Sequence, residues 1–369
     1  MKVLYLTNLT VPYRMKFFNY LGQKCDLTVV VERNSALNRD DNWLNSVESK
    51  NFKLIQLNGI KIGEESSFSF KIFKFLKKDF DLIVIGGYST FTAMFAIICL
   101  KLFRKSFILN ADGGVINYNE KKVISEIKKF FISSASYWIT TSKEAVEYLN
   151  YYGACKKNIY IYPFSSIEES EVKHITVDEK FKYKNKLCID ENKKMILSVG
   201  QIIPRKGFDI LIKAFSKLNE TEYDLYIVGG KATDDLNSII EKYKLNNVHF
   251  VEFANKEKLS EYYSAADLFV LPSRFDVWGL VINEALAYSL PIISSNKVGA
   301  ALEILDEHNI FETENVNELS RLIKDIFSDS KKLNQIINEN NKKAKEYTID
   351  KMADVHYKIF EEIKKENTL

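Results

Sequence analysis

The sequence predicts two doubly wound α/β domains, on three observations. At 369 residues the chain exceeds what one hydrophobic core usually organises, and 46% apolar residues is enough to fill two. Short β-type runs alternate with amphipathic stretches from the first residues onward, the pattern of a parallel sheet covered by helices on both faces. That alternation weakens across residues 165–177, a polar stretch rich in Ser and Glu, and then resumes.

In the first series, strands are expected at 3–6, 27–31, 54–57, 82–85, 106–109, 138–141 and 159–162. The polar stretch reads as a linker. Strands of the second series fall near 195–199, 225–228, 248–250, 268–271 and 292–294, and residues from 347 to about 365 have the periodicity of a charged amphipathic helix. The domain assignment is 1–168, 169–346 and a closing helix over 347–369. Ligands of doubly wound domains bind at the carboxyl ends of the strands, so a central cleft between two such domains is the expected site.

Composition narrows the function. Cys25, Cys99, Cys155 and Cys188 stand far apart without metal-ligand spacing, so they read as thiols in a reducing compartment, and no metal or other cofactor is expected. The opening Met1-Lys2-Val3-Leu4-Tyr5-Leu6-Thr7 is too short an apolar run for a secretory signal. The greasiest segment, 93–100, falls below the about 18 apolar residues of a spanning helix. The expected location is cytoplasmic. Net charge is +3, yet residues 1–165 hold 23 Lys and Arg against 14 Asp and Glu, while residues 166–369 hold 29 against 35. The basic front half points to an anionic partner, either a membrane surface or a phosphorylated acceptor. No nucleic-acid motif accompanies it.

Two motifs carry the chemistry. In Pro272-Ser273-Arg274-Phe275-Asp276-Val277-Trp278-Gly279-Leu280-Val281-Ile282-Asn283-Glu284-Ala285, two carboxylates flank a glycine at a loop-to-helix junction. Gly279, Leu280 and Val281 open a helix whose first N–H groups suit phosphate, and Glu284 lies far enough along it to accept hydrogen bonds from a ribose diol. Read alone, acids at this spacing are ordinary surface residues, and the flanking context turns the reading. In Ile196-Leu197-Ser198-Val199-Gly200-Gln201-Ile202-Ile203-Pro204-Arg205-Lys206-Gly207-Phe208-Asp209, a strand passes through Gly200 to two adjacent cations and a helix. An isolated Arg-Lys pair is usually solvated; here Arg205 and Lys206 are placed to neutralise a diphosphate.

Together these motifs resemble the donor half of glycosyltransferase family 4, retaining transferases of the GT-B fold. The resemblance extends through Tyr226-Ile227-Val228-Gly229-Gly230, Tyr262-Tyr263-Ser264-Ala265-Ala266-Asp267 and Leu290-Pro291-Ile292-Ile293-Ser294, strongly over roughly residues 190–300 and weakly before. It implies a GT-B pair of Rossmann-like domains and a nucleotide-sugar donor. It also implies that Glu284 binds the ribose and that Asp276, where the family usually has Glu, lies near the transferred sugar. The base would be read by backbone near Phe253 and Ala254. The family's acceptor-side histidine has no counterpart, because the only histidines are His174, His249, His308 and His356.

Asp112 takes that place in Asn110-Ala111-Asp112-Gly113-Gly114, against the plainer reading of a turn-forming Asp-Gly. Tyr13 and Arg14, in Val11-Pro12-Tyr13-Arg14 after the first strand, are assigned to acceptor binding rather than to helix capping. Residues 68–78 and 121–132 combine Lys with Phe and Ile in a way suited to helices on anionic lipid, at the inner face of the cell membrane. The expected function is retaining transfer of a hexosyl group from a nucleoside-diphosphate sugar to a lipid-linked glycan, in capsule, exopolysaccharide or O-antigen assembly. Arg205, Lys206, Asp276 and Asp112 would be its catalytic groups. Competing readings are a GT-B epimerase or phosphorylase and a non-catalytic glycan- or nucleotide-binding protein.

Overall fold

The computed structural model describes residues 1–33, 47–62, 66–252 and 254–366. The chain divides into two compact units, Met1–Ser166 with Tyr347–Leu369, and Ile167–Glu346.

The first unit is built on a seven-stranded parallel sheet in the order β3-β2-β1-β6-β7-β8-β9. Its strands are β1 (Lys2–Leu9), β2 (Asp26–Arg33), β3 (Lys53–Gln56), β6 (Leu82–Gly86), β7 (Ile108–Asn110), β8 (Tyr137–Thr140) and β9 (Ile159–Ile161). Each lies where an apolar run predicts it. A small antiparallel pair, β4 (Ile60–Ile62) with β5 (Ser66–Phe68), was not expected. It corrects the helical reading of residues 68–78. Phe68 is in a strand and only Ile72–Leu76 is helical, with Ile72 and Leu76 buried rather than facing outward. Helices Pro12–Gly22, Phe91–Leu102, Lys122–Ile132 and Lys143–Tyr151 connect the strands. Thr90 and Ser142 start two of them, their hydroxyls accepting the N–H of Ala93 and Ala145. The final helix, Ile349–Glu366, packs on Pro12–Gly22, where Phe17 meets His356 with ring centroids 4.7 Å apart and Lys24 pairs with Asp354 at 2.7 Å.

The second unit holds a six-stranded parallel sheet, β12-β11-β10-β13-β14-β15. These are β10 (Lys194–Val199), β11 (Tyr223–Val228), β12 (Val248–Val251), β13 (Leu268–Leu271), β14 (Ile292–Ser295) and β15 (Ile310–Phe311). The strand order reverses between β10 and β13, so the loops leaving those two strands border the crevice in which such sheets bind ligands. Both motifs read from the sequence are those loops. In the first unit the reversal lies between β1 and β6, beside the loop that leads to Tyr13 and Arg14.

The stretch 165–177 is not a free tether. Lys173 donates its backbone N–H to Ala287 O at 2.6 Å, Glu171 pairs with Lys256, and Thr176 forms a capping box with Glu179 at the start of helix Val177–Lys186. Its polar composition reflects these bonds rather than disengagement.

Candidate functional site

Gly207 makes the cation loop of the second unit. After β10 the chain makes one 3-10 turn, Pro204–Lys206, and Gly207 reverses it with φ +69° before helix Phe208–Phe215. A Cβ there would lie 2.1 Å from Pro272 O, so the two motif loops touch where only glycine fits. Gly279 does the same for the second loop, with φ +91° at the start of helix Leu280–Ala287, where a Cβ would lie 2.7 Å from Val298 Cγ1.

With the loops so fixed, the side chains converge. Lys206 Nζ donates to Asp276 Oδ2 at 2.6 Å, and Arg205 Nη1 stands 3.7 Å from the same oxygen while donating to Phe275 O at 2.6 Å. Lys206 and Asp276 are mostly buried, whereas the Arg205 side chain is 44% exposed. Asp276 is itself held by backbone bonds to Lys297 O (2.9 Å) and from Gly299 N–H (3.2 Å). Glu284, half-buried, accepts the Tyr263 hydroxyl at 2.9 Å, and Tyr263 stacks on Tyr288 with centroids 5.3 Å apart. Burial pushes the Glu284 carboxyl above its ordinary range, against the Tyr263 hydrogen bond and the positive charge of Lys256 and Lys206. Gly200 closes the floor, its carbonyl 2.1 Å from the Cβ that Gly229 lacks. Ala254 lies just before the Asn255 cap of helix Lys256–Ala265; Phe253 lies outside the described residues.

Arg274, within the motif but given no role from sequence, staples both loops. It grips Asp209 with two bonds (2.7 and 2.9 Å), Glu314 at 2.5 Å and Pro204 O at 2.8 Å. Burial opposes ionisation of Asp209, and Arg274 with Lys213 outweighs it, holding the carboxyl down at about 2. Only the distant partner Asp209 identifies that role, and sequence carries no sign of it.

In the first unit Asp112 and Arg14 form an ion pair. Asp112 Oδ1 also accepts Tyr162 Oη–H at 2.5 Å and Asn110 Nδ2–H at 2.9 Å, and Asn110 Oδ1 accepts the Tyr5 hydroxyl. Burial opposes the charge on Arg14, but Asp112 keeps it protonated well past the usual range. Burial likewise raises the Tyr5 and Tyr162 hydroxyls. Tyr13 is half-buried and packs edge-on against Phe164. Although residues 1–168 lack histidine, the final helix brings His356 into this unit. Fully buried, its ring lies 4.3 Å from that of Tyr162, Nδ1 bonds Met352 O at 2.8 Å, and Nε2 has no partner. Burial pushes it down to about 4.

Residues 179–344 match the family model described as glycosyl transferases group 1. The chain carries a group 1 glycosyltransferase domain. Relatives include an uncharacterized glycosyltransferase of Methanocaldococcus jannaschii, 31% identical over 36% of this chain and 34% of its own. Lipopolysaccharide glucosyltransferase WaaG of Escherichia coli is 27% identical over 51% of this chain and 52% of its own. The chain thus spans about a third to a half of the length of these curated relatives. Anabaena HepE, solved in complex with UDP, superposes at a TM-score of 0.77 over all of both chains with 17% identity. The glycosyltransferase domain lies within a GT-B fold. Among the described residues no group of His, Cys, Asp and Glu is placed to hold a metal ion, and no helix is long and apolar enough to cross a membrane.

Proposed function

We propose that this chain is a retaining glycosyltransferase of family 4, moving a hexosyl group from a nucleoside-diphosphate sugar to a hydroxyl of a lipid-linked glycan in bacterial surface-polysaccharide assembly. The observation that carries the reading is the convergence of Arg205 and Lys206 on one carboxylate, at the strand-order reversal and beside the Gly279 helix start. Among the described residues Asp276 alone faces both cations, which leaves one positive charge uncompensated. A diphosphate compensates it, with Arg205 and Lys206 donating to its oxygens and the N–H groups of Leu280 and Val281 completing the anion site. As the anomeric bond breaks, negative charge grows on the departing diphosphate, and these fixed donors stabilise it without a divalent ion.

Glu284, oriented by Tyr263, accepts the ribose hydroxyls; two such bonds compensate a carboxylate that burial otherwise disfavours. Asp276, released from Lys206, lies toward the transferred sugar. Asp112 orients the acceptor hydroxyl, while Arg14, buried against it, sets its position rather than meeting the ligand. HepE, solved in complexes with UDP and UDP-glucose, and WaaG, named for lipopolysaccharide glucosyl transfer, support a nucleotide-sugar donor and a glycan acceptor.

Screening UDP-, GDP- and ADP-sugars by thermal shift should find one donor that raises the melting temperature. With that donor and EDTA present, replacing Arg205 and Lys206 together by Ala should lower kcat/KM by about 1,000-fold and abolish the shift. Near-normal transfer by the double variant, or dependence on an added divalent ion, would overturn the proposal.

A further inference from the structure

Helices Phe91–Leu102 and Lys122–Ile132 are consecutive crossovers, from β6 to β7 and from β7 to β8, stepping the same way along the sheet. Right-handed connections therefore place both on one face of the sheet. Their C-terminal ends meet: Lys101 Nζ lies 4.3 Å from the Phe130 ring centroid and donates to Ser134 Oγ at 3.2 Å. The first helix buries Ala93, Ala96, Ile97 and Leu100 against the core, yet its outer side is also apolar, with Phe91, Ile98 and Leu102 exposed at one-face spacing. The second departs further from a globular helix. It has a strong apolar stripe, Val123, Ile127 and Phe130, but buries only Phe131 and Ile132 of its eleven residues.

An amphipathic helix ordinarily turns its stripe to the core. Here the second helix turns its stripe to solvent and the first adds an outer apolar row beside it, with Val123 70% and Leu102 75% exposed. Such a patch marks a surface that is covered in use. Its border selects the partner. Lys101, Arg104, Lys105, Lys121, Lys122 and Lys129 are all exposed around it, and the single acid on the second helix, Glu126, is paired to Lys129 at 3.0 Å. Protein interfaces deplete lysine at their centres, whereas lysines flanking Ile and Phe suit a helix lying at the level of anionic headgroups.

We propose that this two-helix face docks the first unit onto an anionic lipid surface, with Leu102, Val123, Ile127 and Phe130 entering the headgroup boundary and the lysines meeting lipid phosphate. Docking needs no transferase activity, so failure of the catalytic reading leaves it standing. The full chain should co-sediment at low salt with vesicles of equal parts phosphatidylcholine and phosphatidylglycerol, be released as salt rises, and stay in solution with phosphatidylcholine alone. Leu102→Ser with Ile127→Ser, and separately Lys122→Glu with Lys129→Glu, should each weaken binding about tenfold. Circular dichroism and the melting temperature should stay unchanged, because all four side chains are exposed. Equal retention on neutral and anionic vesicles, or unchanged binding by both variants, would overturn the proposal. So would sedimentation showing a wild-type dimer that Leu102→Ser with Ile127→Ser dissolves while vesicle binding is absent, which would make the face a contact between copies.

Discussion

Each unit places a cation against a carboxylate beside its strand-order reversal, yet the two pairs differ in how their charges are balanced. In the second unit Lys206 and the half-exposed Arg205 share one oxygen of Asp276, held by loops that two left-handed glycines fix. The charges there are in excess of the acid, which is what the proposed diphosphate site requires. In the first unit Arg14 is 11% exposed, covered by Phe164 at 5.6 Å and engaged by Asp112, whose other oxygen is taken by Tyr162 and Asn110. That guanidinium is already spoken for. The exposure of Arg205 and the number of bonds already made around Asp112, rather than residue type, set the two arrangements apart.

The largest expected effect tests how rigidly the open pair is held. Gly207→Ala forces a side chain into a backbone at φ +69° and against Pro272 O, which belongs to the neighbouring strand end and has little room to move. Stability should fall by about 3 kcal/mol or more in urea denaturation. Nucleotide-induced stabilisation should vanish with it, since the loop carrying Arg205 and Lys206 is the one displaced. Retained nucleotide binding at undiminished affinity would mean that the loop geometry is dispensable, and the contrast between the units would collapse.

The convergence of the second unit's two loops was legible in sequence because each loop is local. Gly200, Arg205, Lys206 and Gly207 occupy one loop, and Asp276, Gly279 and Glu284 another, so strand, turn and helix signals converge within a dozen residues. Nearly all sheet strands were legible for the same reason. The remainder depends on distant contacts. Arg274 meets Asp209 across 65 positions, Tyr162 meets Asp112 across 50, and His356 reaches Tyr162 only because the last helix returns to the first unit. The β4–β5 pair escaped because Lys-Phe periodicity over residues 68–78 imitates a helix, while Phe68 pairs with Ile60.

A middling effect tests the closed pair. Asp112→Asn keeps the shape but leaves the Arg14 guanidinium without a counter-charge in a largely buried place. A fully buried pair would lose more, and with Asp112 about a third exposed the cost should be about 2 kcal/mol. Transfer should also fall, by about 100-fold in kcat with little change in donor KM, since the proposed nucleotide site lies in the other unit. Asp276→Asn likewise leaves the mostly buried Lys206 ammonium without its counter-charge, so it should also cost about 2 kcal/mol, together with a large loss of transfer. A donor KM that rises as much in Asp112→Asn as in Asp276→Asn would erase the distinction between the two units.

The smallest effect concerns pH and belongs to the closed region alone. His356 sits among Phe17, Tyr162 and Phe360, and the charged groups acting on it are Arg14, which disfavours its protonation, and Asp112, which favours it. Burial dominates, so the folded protein holds the ring neutral down to about pH 4, whereas the unfolded chain takes up a proton near 6.5. The unfolded state binds more protons between those values. The contribution of His356 is therefore fully present above about 6.5 and declines as pH falls toward 4, by about 1 kcal/mol between pH 7.5 and 5.5, while Glu32, raised to about 7 by burial, acts in the opposite sense. His356→Leu should flatten that slope in denaturation curves taken at the two pH values, while leaving the nucleotide-induced melting shift of the open site untouched. A slope that survives the substitution would place the titrating group elsewhere, and the first unit's buried network would then have no pH dependence of its own to set it apart.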